Sequence, residues 1–221
     1  MWKQYIQILI IVIKAKLRKQ LRKKRIWLLI VVLLRAAYVI MNNYGLNPLK
    51  KSIAKDHVFL TGAAEGLGRL LAIKLSKLGC KLTLSDVNMP ELQKTLTLCA
   101  GNLNVHAIEC DVSSQASITE AASKARQRFG DVTVLINNAA VVSAVPLMQL
   151  SEAIINKTLQ VNTTSHLLTI KEFLPGMISQ KRGHVVAIAS MAGLTGCNGI
   201  ADYCASKFGA VAIDESLRME L

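Results

Sequence analysis

A chain of 221 residues has room for one domain and an appendage, and its 52% apolar share is enough for a sizeable core with a membrane segment besides. The net charge of +13 would suit a nucleic-acid binder if it were spread along the chain. It is not: residues 1–55 hold 13 Lys and Arg and no Asp or Glu, while residues 56–221 hold 14 of each sign, which excludes a basic nucleic-acid-binding body.

The appendage has three blocks. Residues 5–13 are apolar except for Gln7, residues 14–25 place eight Lys or Arg in twelve positions, and residues 26–41 are apolar except for Arg35. A secretory signal has one charged head, one apolar stretch and a small-residue cleavage site, which is a different order. The third block is shorter than the roughly 20 residues a bilayer core needs, so a single span, a shallow hairpin and an interfacial helix all fit. A polybasic stretch between apolar runs suits anionic headgroups, and residues 1–41 are expected to attach the protein to a membrane. Few aromatic residues (Trp2, Tyr5 and Trp27) flank the basic cluster, so no nucleic-acid partner is expected. Residues 42–55, with Gly45 and Pro48, read as a linker, and residues 56–221 as the domain.

Within the domain, short β-branched or leucine-rich runs alternate with amphipathic stretches. That pattern predicts an α/β fold of the Rossmann type, a doubly wound parallel sheet with helices on both faces. Strands are predicted at 57–60, 81–84, 104–109, 132–136 and 184–189. Helices are predicted at 67–78, 91–100, 117–129, about 162–179 and 203–221.

The first strand runs into Thr61-Gly62-Ala63-Ala64-Glu65-Gly66-Leu67-Gly68. Gly62 permits a tight turn, Gly66 lets backbone approach a pyrophosphate, and Gly68 lets the next helix lie close to the sheet with its amides facing phosphate. Asp86 ends the second predicted strand, where a carboxylate can accept hydrogen bonds from ribose hydroxyls and repels a 2′-phosphate. Glu65 adds a second negative charge, and no Lys or Arg occurs from Thr61 to Leu67. NAD is therefore the expected cofactor, with NADP still admissible. A plainer role for Asp86 is to open a turn with Asn88 and Pro90.

Tyr203 and Lys207 stand four residues apart, on one helix face. A phenol is a poor base at neutral pH, and a neighbouring ammonium favours its ionised form, so such a pair can exchange a proton with an alcohol as hydride leaves. Ser190, ending the fifth predicted strand, can hydrogen-bond the substrate oxygen. Cys80, Cys99, Cys110, Cys197 and Cys204 form no metal-binding spacing and read as small buried thiols. His57, His106, His166 and His184 read as structural, and no metal is expected.

With these motifs in place the sequence resembles the short-chain dehydrogenase/reductase family over residues 57–221. The loop Thr61–Gly68, Asp111-Val112 after the third strand, Asn137-Asn138-Ala139-Ala140, Asn162, Ser190 and the Tyr203/Lys207 pair occur in the family's order. Ala140 departs from the family's glycine. The resemblance implies a catalytic tetrad of Asn162, Ser190, Tyr203 and Lys207. It implies a dinucleotide site built from Thr61, Gly62, Glu65, Gly66, Leu67, Gly68, Asp86, Asp111, Val112, Asn138, Ala139, Ala140, Tyr203 and Lys207. Gly66–Leu71 and Asp202–Gly209 are similar to membrane-associated retinol and 17-beta-hydroxysteroid dehydrogenases. Hydrophobic alcohols (retinoid, steroid or fatty alcohol), a membrane location at endoplasmic reticulum or lipid droplet in a eukaryote, and a homodimer are implied by that resemblance only. Family members continue with two more strands and a substrate lid, so a C-terminally truncated domain is expected here. The competing reading is an inactive, membrane-tethered dinucleotide-binding protein.

Overall fold

The computed structural model describes residues 35–37, 52–99 and 104–221. Its sheet is built from strands buried on both faces, as a parallel sheet covered by helices requires. β1 (His57–Thr61) is buried throughout, and β2 (Lys81–Asp86) is buried from Leu82 to Ser85. β3 (Val105–Glu109), β4 (Val134–Asn137) and β5 (His184–Ala187) complete five parallel strands in the order β3-β2-β1-β4-β5. The order reverses between β1 and β4, and in open α/β sheets ligands bind at the carboxyl ends of the strands beside such a switch. The register places Thr61 beside Ser85, Asp86 beside Glu109 and Asn137 beside Ala187, so the strand ends form one rim.

Alternation along β1 feeds two cores. Val58 and Leu60 join Ala72, Leu82, Leu84 and Leu92 under α1 (Gly66–Ser76) and α2 (Met89–Leu98). Phe59 joins Ile118, Ala122, Leu135, Ile170 and Phe173 under α3 (Gln115–Phe129) and α5 (Ser165–Ser179). Ile213 and Leu217 of α6 (Ala201–Glu220) pack on that second core, so helices cover both faces. Residues Ile53–Leu221 form one unit.

The helix ends follow local chemistry. Ser114 accepts a hydrogen bond from the Ser117 amide at the start of α3, and Gly130, at φ 81°, ends that helix. Asn88 caps α2, with Pro90 in its first turn. One helix was not expected. Ser151 caps α4 (Glu152–Leu159), which continues through a π-turn, Gln160–Thr164, into α5. The segment preceding Asn162 is therefore helical, not connecting chain.

The cysteine expectation needs one correction. Cys80, Cys99, Cys110 and Cys204 are buried free thiols, but Cys197 is exposed, because it lies in the loop leading into α6. The expected membrane segment falls outside the described residues apart from 35–37. Among the described residues no helix is long and apolar enough to cross a membrane, and no group of His, Cys, Asp or Glu could hold a metal ion.

Candidate active site

The glycine loop leaves the end of β1 and is pinned to the end of β4. Thr61 Oγ1 accepts hydrogen bonds from the amides of Asn138 and Ala139, both at 3.0 Å, and Asn138 Nδ2 donates to the carbonyls of Thr61 and Gly62. Thr61 is itself buried, so it holds the loop and does not face the cleft. Gly62 has φ +66°, and a β-carbon there would fall 2.7 Å from Ala139 Cα. At Gly68 a β-carbon would fall 1.9 Å from the Gly62 carbonyl oxygen, so only glycine lets α1 start this close to the loop. Gly66, at φ +52°, faces open space.

Those features fit a dinucleotide phosphate. The N-terminus of α1 has no side-chain cap and no acid in its first turn, and its positive end opens onto the space beside Gly66. Asp86 lies on the same cleft, whose volume is about 590 Å³ and whose walls include Gly62, Glu65–Gly68, Asn138–Ala140, Tyr203 and Lys207. One Asp86 oxygen accepts from the Ala64 amide at 2.9 Å and the other from the Asn88 amide at 3.0 Å. The residue thus opens the turn into α2 and also presents a fixed carboxylate to the cleft. Arg69, the basic residue nearest in sequence to the loop, points elsewhere: its guanidinium donates to Glu91 at 2.8 Å and Thr95 at 3.0 Å.

A neighbouring cleft of about 780 Å³ shares Gly62, Asp86, Ala139 and Ala140 and adds Asp111 and Val112. Asp111 Oδ1 is engaged by the Ser113 amide and hydroxyl, which shapes the entry to α3. Val112 is mostly buried in the core behind.

Tyr203 and Lys207 share one face of α6. Lys207 Nζ lies 5.7 Å from the centre of the Tyr203 ring and donates to the Ile188 carbonyl at 2.8 Å, just beyond β5. Lys207 is 2% exposed, and burial pushes its ammonium below the ordinary lysine pKa. Tyr203 is half-buried and lines the cleft. Asn162 and Ser190 line neither cleft. Asn162 is fully buried in the π-turn, where its amide accepts from the Val141 N–H and donates to the Val141 carbonyl, each at 2.8 Å. It also donates to Ser206 Oγ, whose own proton goes to the Tyr203 carbonyl. Asn162 therefore joins the loop after β4 to the helix that carries Tyr203. Ser190 Oγ accepts from the Ala192 amide and caps the short turn Met191–Gly193 after β5.

Two features had no clear sequence signal. His166 is buried and its Nε2 has no partner; burial lowers its pKa to about 4, with the nearby Lys207 charge acting in the same direction. Asp202, beside Tyr203, is buried and hydrogen-bonded to two hydroxyls from other elements.

Comparison with known proteins identifies the family and the fold. The short chain dehydrogenase family profile matches residues 56–221. Human epidermal retinol dehydrogenase 2 (Homo sapiens) is 42% identical over 173 residues, 77% of this chain and 56% of that protein. Human estradiol 17-beta-dehydrogenase 11 is 39% identical over 173 residues, 78% of this chain and 58% of that protein. The chain spans a little over half the length of both relatives. A Burkholderia phymatum short chain dehydrogenase/reductase solved with NAD superposes with a TM-score of 0.75 at 33% identity, covering 78% of this chain and 62% of that one. A metagenomic short-chain oxidoreductase solved with NADP gives 0.72 at 31%, covering 77% of each. A parallel five-stranded sheet, a glycine loop at its switch point and a matching sequence profile lead to one conclusion: this chain belongs to the short chain dehydrogenase family.

Proposed function

We propose that the protein is an oxidoreductase that moves a hydride between a nicotinamide dinucleotide and a hydrophobic alcohol or carbonyl compound. The observation that carries this reading is the buried Lys207 ammonium held against the Tyr203 ring on the wall of the cleft that the glycine loop opens. In it, Gly62, Gly66 and Gly68 let backbone and the α1 N-terminus approach the dinucleotide's phosphates, and Asp86 accepts from the adenosine ribose. Asp111 and Val112 flank the adenine, and Asn138 to Ala140 floor the cleft. The bound dinucleotide supplies the hydride acceptor or donor. Tyr203 exchanges the proton of the substrate oxygen, Lys207 faces the phenol, and Ser190 donates to that oxygen. Asn162 holds the geometry from behind.

A hydrophobic substrate is supported by exposed apolar side chains on the loops that leave the strand ends: Val142, Leu147 and Met148 after β4, and Met191 and Leu194 after β5. Retinol and estradiol, named for the two relatives, are the compounds to try first. The same reading attaches the protein to a membrane through residues 1–41.

Tyr203→Phe tests the assignment. Removing the phenol is expected to lower turnover by about 10²–10⁴-fold while dinucleotide affinity, measured by titration, stays unchanged. A variant that keeps more than about half its activity would sink the role given to Tyr203.

A further inference from the structure

The helix that carries Tyr203 begins in an unusual way. Its N-cap, Ile200, has no side chain able to satisfy the first-turn amides. The next polar residue, Asp202, is only 6% exposed and does not turn back to cap the helix. Its Oδ2 instead accepts from Thr158 Oγ1 of α4 at 2.8 Å and from Ser143 Oγ of the loop after β4 at 3.1 Å. One carboxylate oxygen thus gathers three elements at the first turn of α6, where a negative charge also suits the helix dipole. The second oxygen, Oδ1, is buried without a donor.

The gathered loop is under constraint. Ala144 sits at φ 52°, a left-handed conformation that costs a residue with a β-carbon and persists where its surroundings over-determine it. Two side chains do so. Asn162 holds both backbone groups of Val141, and Asp202 holds Ser143 next to the strained residue. The loop then presents Val142, Leu147 and Met148, exposed apolar side chains that support the hydrophobic substrate proposed above. One turn further along α6, Thr163 Oγ1 donates to the Ser206 carbonyl and Asn162 Nδ2 to the Ser206 hydroxyl. The helix turn that carries Tyr203 is therefore tied to the π-turn through Ser206 and to α4 and the loop after β4 through Asp202.

We propose that Asp202 is a positioning residue: its carboxylate fixes the substrate-bearing loop against the helix turn that carries Tyr203. The inference rests on the oxidoreductase reading for its effect on turnover, but not for its effect on the loop. Misplacing the reacting groups lowers the rate without weakening dinucleotide binding, because the glycine loop and Asp86 belong to other elements.

In the full chain, Asp202→Ala is expected to lower kcat by about ten- to a hundredfold and leave the NAD dissociation constant within about twofold. Asp202→Asn keeps an acceptor for both hydroxyls and is expected to restore most of the rate. Ser143→Ala is expected to lower kcat alone and to add little to Asp202→Ala, as partners in one contact do. Amide exchange across residues 141–145 is expected to quicken in Asp202→Ala and Ser143→Ala alike. Normal turnover in Asp202→Ala, or multiplying effects of the two substitutions, would overturn the proposal. If Asp202→Ala does not fold, Ser143→Ala and Thr158→Val decide the same question. If the unsubstituted protein binds NAD but turns over nothing, the oxidoreductase reading fails on its own account. Exchange then decides: unchanged exchange in the variants counts against Asp202, quickened exchange for it.

Discussion

Asp86 and Arg69 illustrate how one residue's partners decide a specificity that its type leaves open. An arginine close to a glycine loop can serve a 2′-phosphate, yet the Arg69 guanidinium is turned to α2, donating from Nε to Thr95 and from Nη2 to Glu91. Asp86 is oriented by two backbone amides and keeps a carboxylate on the cleft. NAD is therefore expected to bind at least about tenfold more tightly than NADP, since a 2′-phosphate would meet an uncompensated carboxylate. Asp86→Ala is expected to narrow that gap, and calorimetric titration of both dinucleotides would measure it. Tighter NADP binding by the unsubstituted protein would mean that Arg69 leaves Glu91. Residue types and spacing made the glycine trio, Asp86, Tyr203 and Lys207 readable in the sequence. The confinement of Arg69 and the gathering role of Asp202 were not, because each depends on partners more than twenty residues away.

At the scale of elements, the stretch α4, π-turn and α5 was the hardest to read. Its apolar positions predict a helix from about Asn162 onward, whereas Ser151 caps a helix that already starts at Glu152. The π-turn widens the helix by one residue per turn, which shifts the period, and such widened turns are frequent at functional sites. α5 also carries a pH dependence. Unfolded, His166 titrates near 6.5; folded, burial first and the Lys207 charge second bring it to about 4, with Asp214 opposing weakly. Above pH 6.5 neither state holds the proton, and His166 contributes nothing. Between 6.5 and 4 only the unfolded chain takes it up, so stability falls with pH, by up to about 3 kcal/mol once pH is below 4. The urea midpoint is expected to drop on acidification from pH 7.5 to 4.5, and less steeply in His166→Leu. Equal slopes in the two proteins would show that His166 accepts a proton without cost.

For the molecule as a whole, the parallel sheet and its two helical layers were legible because strands buried on both faces read as continuous apolar runs. The unequal charge of the two parts was equally plain: all the excess lies in residues 1–55. Deleting residues 1–42 is therefore expected to move the protein from the membrane pellet to the supernatant after cell fractionation. A folded deletion variant that stays in the pellet would place the attachment on another surface. What the sequence left unspecified is the exposure of Val142, Leu147, Met148, Met191 and Leu194 on the two loops that leave β4 and β5, since burial is decided by the fold. Those exposed apolar side chains, the dinucleotide cleft and the Tyr203 turn are the support for the proposed hydride exchange with a hydrophobic alcohol. The most direct test is to incubate the full chain with NAD and a long-chain alcohol, retinol or estradiol carrying deuterium on its carbinol carbon. The dinucleotide is then recovered for mass spectrometry. Reduced dinucleotide bearing one deuterium from at least one of these alcohols is the predicted result; bound NAD recovered unreduced and unlabelled with all of them would contradict the account.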